Sequence, residues 1–182
     1  MRDPARTPSA AQARYVRVLQ RTLSCLSKAI WVVGPSNAGT DRKLTLSEEA
    51  IRLRTAEGPT LWLRASQHFE LIPHPEFEGE WKSSTRAYVY ELGLEDDDDG
   101  LIGWHWHPNT TPDRLTPHTH VRVEHAPLGV SFPRLHIPSG RVSFEEVARF
   151  AIVELGVSPD REDWDDILAE SLLRFQTYRS WG

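Results

Sequence analysis

The chain has 182 residues, a net charge of −5 and one cysteine, Cys25. That is close to the size of a single domain, long enough to bury a core without staples, and a lone cysteine excludes an internal disulfide and favours a reducing, cytoplasmic setting. No run of about 18 apolar residues exists, which argues against a membrane span, and the first residues lack the apolar core of a signal peptide.

Residues 1–8, with Pro4 and Pro8, read as a frayed tail before one α+β domain over 9–182. Ser9 is a fair N-cap, and Val16, Leu19, Leu23, Leu26 and Ile30 recur at spacings of three and four, which predicts a helix over 9–32. Gly34-Pro35 ends it. Short alternating segments at 43–46, 50–55, 60–65 and 68–72 predict strands, punctuated by Glu57-Gly58-Pro59 and stopped by Pro73 and Pro75. Residues 86–94 alternate around Tyr88, Val89 and Tyr90 and predict a further strand, followed by another over 101–107. Between them lies the acid run Glu95 to Asp99, which closes on the hairpin signal Asp99-Gly100. It reads as a solvated turn, because the ligand spacing of a calcium loop is missing.

Residues 108–117 form a loop, 118–124 a strand, and 131–140 an irregular stretch. Ser143-Phe144-Glu145-Glu146 is a capping box that opens a helix to about Leu155, stopped by Gly156. A last helix spans about 161–178, with Trp164, Ile167, Leu168, Leu172 and Phe175 along its apolar seam. Helix, antiparallel strands and two helices give an α+β plan in which the helices pack on one face of a sheet.

Chemistry concentrates in two H-x-H pairs, His105/His107 and His118/His120. In a strand, residues i and i+2 point to one face, so each pair projects together. A ten-residue loop joins the pairs and suits neighbouring antiparallel strands, which would converge four imidazoles. Two uses make physical sense. One is a transition-metal site such as zinc on His105, His107, His118 and His120, with Asp113 or Glu124 as supporting carboxylates. The other is metal-free acid–base catalysis by the same histidines, with Arg114, Arg122 or Arg134 holding a phosphate. The segment 100–142 is locally basic and histidine-rich, which permits an anionic ligand there. The bland alternative makes the pairs polar residues of an exposed strand. His68, His74, His125 and His136 stand alone and read as ordinary surface or core residues, and Cys25 reads as core within the first helix.

Tyr88-Val89-Tyr90, the turn at Asp99-Gly100, Trp104-His105-Trp106-His107-Pro108, Pro117-His118-Thr119-His120-Val121 and Ser143-Phe144-Glu145-Glu146-Val147 together give the stretch 86–157 a pattern. It resembles the TumE-type toxins of bacterial toxin–antitoxin systems. Where that family commonly carries an Arg-x-Asp-Asn stretch, this chain has Gly103-Trp104-His105-Trp106. The resemblance implies a growth-inhibiting toxin that acts on RNA or translation and is held by a cognate antitoxin. The expectation taken forward is an RNA-directed nuclease using the histidine cluster. Its rivals are a metal-dependent hydrolase or metal-binding protein on the same residues, and a non-catalytic partner protein acting through the acidic helices around Trp164, Asp165 and Asp166.

Overall fold

The computed structural model describes residues 5–34, 41–108, 116–125 and 130–178, with side chains at 124, 125, 130–134 and 174–178 left aside. The order of elements is α1 (Pro8–Leu23), β1 (Trp31–Val33), β2 (Asp41–Leu46), β3 (Ile51–Leu53), β4 (Leu61–Pro73), β5 (Trp81–Leu94), β6 (Gly100–Trp106), β7 (His118–His125), β8 (Val130–Pro138), α2 (Phe144–Val153) and α3 (Trp164–Tyr178). The expected α+β plan is present: one antiparallel sheet between an N-terminal helix and two C-terminal helices. The sheet runs β1-β2-β4-β5-β6-β7-β8, and β3 lies beside β2 along the same edge of the long strand β4. Among the described residues no helix is long and apolar enough to cross a membrane.

Three local expectations need correction. The first helix starts one residue earlier and ends nine residues sooner than its periodicity predicts. Thr7 is the cap, accepting from the Ala10 N–H, and Pro8 occupies the first turn, where a missing N–H costs nothing. Ala5 is buried, and its carbonyl accepts from the Trp81 N–H, so this part of the expected tail is tied to β5. At the other end, Gln20 holds the returning chain: its amide donates to the Ala29 carbonyl and its oxygen accepts from the Trp31 N–H. The β-branched and aromatic run from Ile30 to Val33 then pairs with β2. The second correction joins the two segments at 60–72 into one strand. A register shift between His68 and Phe69 absorbs the change of phase that makes them look separate. The third converts the irregular stretch at 131–140 into β8, an edge strand. Pro133 falls where the β7–β8 register slips on an edge strand, two settings in a sheet where a missing N–H is tolerated. The capping box of α2 forms as expected, with Ser143 Oγ accepting from the Glu146 N–H and the Glu146 carboxylate accepting from the Ser143 N–H. Gly156 beyond it takes a φ of 70°, which suits glycine.

The two faces of the sheet have different contents. Leu61, Leu63, Phe69, Tyr88, Tyr90, Leu92, Trp104 and Trp106 point to the helix layer and are buried. Phe144 of α2 meets Tyr90 and Trp31, and Phe150 meets Trp104 edge-on at 5.2 Å. Burying each of these large side chains contributes on the order of 2 kcal/mol. Polar groups in this layer are paired: Gln67 bonds the Tyr15 and Tyr90 hydroxyls, while Glu145 accepts from Ser171 at 2.6 Å and from Thr22 at 3.4 Å. Those two hydroxyls, on α3 and α1, lock the three helices together. The tyrosines of the resemblance motif therefore serve the core. Burial pushes the Tyr88 phenol up to about 12 and Tyr90 well above its usual value, so both remain neutral.

Candidate metal centre

Strand alternation places the histidines on the opposite face, away from the helices. Register then sorts that face into two rows crossing the strands. One row is Thr45, Ser66, Val89, His105, His118 and Pro138. The next is Arg64, Glu91, Gly103, His120 and His136. The two H-x-H segments are thus on paired strands, with His105 directly opposite His118.

Five imidazoles meet there. Ring centroids lie 4.2 Å apart for His105 and His120, 4.8 Å for His118 and His120, and 5.9 Å for His105 and His118. His107, just past the end of β6, packs on His105 at 5.3 Å and on His118 at 5.9 Å. His136 joins from β8, stacked on His118 at 5.3 Å and edge-on to His120 at 4.2 Å. Reading His136 as a lone residue missed it, because its place depends on a strand with no clear sequence signal. Within this group His105, His118 and His120 each offer a ring nitrogen, and the three atoms lie within 4.8 Å of one another.

The outward-facing partners fix which nitrogens are free to act. His118 Nδ1 lies 3.0 Å from the Thr116 carbonyl, which can only accept, so Nδ1 carries the proton. The lone pair of His118 is then on Nε2, which is buried and has no hydrogen-bond partner among the described residues. His105 Nε2 lies 3.1 Å from the Glu91 carboxylate, which leaves Nδ1 as the ring's other nitrogen to serve as a ligand atom. A ring N–H donated to a carbonyl or carboxylate, with the other nitrogen turned inward, is the arrangement that orients metal-ligating histidines. Among the described side chains, Glu91 is the carboxylate in contact with the cluster, where Asp113 or Glu124 was expected. Asp113 lies outside the described residues, and only the backbone of Glu124 is described. The available clue to Glu91 was its charge on the polar phase of a strand whose other phase is Tyr88, Tyr90 and Leu92.

Gly103 makes the packing possible. It sits between Glu91 and His120 in the second row, and a Cβ there would lie 3.1 Å from His105 Nε2 and 3.2 Å from Glu91 Cγ. The bare backbone lets the His105 ring lean back over β6 to reach both Glu91 and His120.

Of the expected phosphate-holding arginines, only Arg122 has a described side chain. Arg122 pairs with Asp97 at 2.5 Å, with its guanidinium largely covered. Only the backbone of Arg134, on β8, is described, and Arg114 lies outside the described residues. The acid run is accordingly more than a solvated turn. Asp97 also accepts from the Trp62 indole through its carbonyl at 2.8 Å, Arg52 pairs with Glu95, and Arg64 donates to the Asp98 carbonyl. The loop curls over the end of the histidine face and neutralises arginines there. The Asp99 N–H, followed by Arg122, holds the Asp97 carboxyl below its usual range.

No family model matches the chain, and no curated protein or solved structure resembles it significantly.

Proposed function

We propose that this protein is a metal-dependent hydrolase whose ion is held by His105, His118 and His120. The observation that carries this reading is the proton placement on His118: its Nδ1–H is committed to Thr116, and its Nε2 is buried beside two other imidazoles with no hydrogen-bond partner among the described residues. A buried polar atom left in that state costs about 1–3 kcal/mol, a cost that a metal ion removes. Neutral imidazole suits zinc, copper, nickel or iron. Three protein ligands leave a position open, and an ion so held can polarise a carbonyl or phosphoryl oxygen and activate water near neutral pH. In this arrangement His105 is the ligand backed by Glu91, His118 the ligand backed by the Thr116 carbonyl, and His120 the ligand that bridges toward His136.

Metal-free RNA cleavage, the toxin-like activity that the resemblance implies, would use the same histidines as acid and base. It also needs a cation at the phosphate, and Arg122, the one expected arginine whose side chain is described, is engaged by Asp97. Metal content of the purified, tag-free protein by plasma mass spectrometry separates the readings. The expected result is about one equivalent of a transition metal after add-back, lost in His118→Ala. Absence of metal after add-back would overturn the hydrolase reading, and RNA degradation by that metal-free protein would favour the toxin-like one.

A further inference from the structure

The β-ladder sets four histidines at the corners of a parallelogram. His105 is paired with His118 across β6 and β7, and one row on, His120 is paired with His136 across β7 and β8. Directly paired side chains on one face stand about 4.5–5.5 Å apart at Cβ, so one register places all four corners. The rings agree with this. A zinc–nitrogen bond of about 2 Å sets a ligating ring centroid about 3 Å from the ion, and two rings at a tetrahedral angle then lie about 5 Å apart. His136 lies 4.2 Å from His120 and 5.3 Å from His118. The three rings assigned to the ion are themselves 4.2, 4.8 and 5.9 Å apart. His107 is the rival for the fourth corner, but it follows the end of β6, and it stands further off, 5.3 Å from His105 and 5.9 Å from His118.

The four corners are not held alike. His118 is 6% exposed and the His105 side chain 13%, and their outer nitrogens are fixed by the Thr116 carbonyl and the Glu91 carboxylate. His136 is exposed and comes from the edge strand β8. A ligand placed in that way can leave the ion while the other three keep hold of it. We infer that His136 is a fourth ligand, which closes the ion's open position at rest and yields it, as a neutral imidazole, to an incoming ligand. This inference rests on the metal-centre reading and adds to it the residue that controls entry.

The test loads the tag-free protein with ¹¹³Cd, whose scalar coupling to ring protons marks each histidine bonded to the metal. The expected result is coupling to His105, His118, His120 and His136. His136→Ala should keep the other three couplings and one equivalent of metal at saturation, with zinc affinity lower by roughly tenfold or more, at least the effect of losing an outer partner. Free imidazole should then fill the vacated position in His136→Ala, seen as a saturable ¹¹³Cd shift back toward the wild-type value. In the wild type it must compete with a tethered imidazole at an effective concentration of about millimolar or above, so at least roughly tenfold more should be needed. Coupling to His105, His118 and His120 alone, or to His107 in place of His136, would overturn the fourth ligand and leave the metal centre standing. So would equal imidazole binding by the two proteins. A wild-type protein that binds neither cadmium nor zinc would overturn both readings.

Discussion

Gly103→Ala separates the proposed metal site from the fold that carries it. An added Cβ would sit 3.1 Å from His105 Nε2, 3.2 Å from Glu91 Cγ and 3.3 Å from the Tyr90 carbonyl oxygen. The carbonyl belongs to the β5–β6 ladder and cannot yield cheaply, so the imidazole and the carboxylate must move by a few tenths of an ångström. Their contact is already 3.1 Å, near the long end for N–H···O, and a further half ångström would break it. Metal–ligand distances tolerate only about 0.2 Å of error, and losing an outer partner of a ligating histidine costs about 10–100-fold in affinity, or roughly 1.4–2.7 kcal/mol. Against this, replacing glycine in a strand by alanine returns about 0.5–1 kcal/mol of chain entropy. The metal-free variant should therefore melt within about 3 °C of the wild type, while its zinc affinity falls 10–100-fold in competition with a chromophoric chelator. Unchanged zinc affinity in a folded Gly103→Ala protein would refute the assigned role of the His105–Glu91 pair.

Two further substitutions probe other parts of the molecule. Glu145→Ala leaves the Ser171 and Thr22 hydroxyls without their buried acceptor, which should cost about 1–3 kcal/mol and lower the melting temperature by several degrees without changing metal content. Asp97→Asn should weaken the hold on Arg122. Because the folded carboxyl is held below its ordinary value of 3.8, its stabilisation is present above that pH and fades as pH falls through the lower folded value. The stability gap between wild type and Asp97→Asn, followed by denaturant melts, should thus close below about pH 4.

Much of the architecture was legible because its signals are local. The capping box at Ser143 and Glu146, the alternation of Tyr88 and Tyr90, and the H-x-H spacing each state a conformation within a few residues. What was hidden depends on partners distant in sequence. The turn of Gln20 onto Ala29 and Trp31 ends α1 where the apolar spacing alone would have continued it. His136 reaches the cluster because β8 pairs with β7 in one register, across a slip at Pro133 that sequence reads as irregular. Glu91 joins His105 only because Gly103, on the intervening position, has no side chain. The charge count was similarly incomplete: a basic, histidine-rich segment suggests an anion site, but pairing with Asp97 occupies Arg122.

The helix layer does not cover the sheet evenly. Val123, Leu135 and Ile137, on the helix-side face of β7 and β8, remain 36–48% exposed. These outer strands therefore have less burial to hold them than β4 or β5, and their opening should cost less than opening the centre of the sheet. The histidines bridge β6, β7 and β8 on the other face, so an ion bound there would act as a clasp at this thinly covered end. Amide hydrogens of β7 would then exchange slowly or quickly according to metal supply, and the protein's resistance to proteolysis at this edge would report how much metal its surroundings hold.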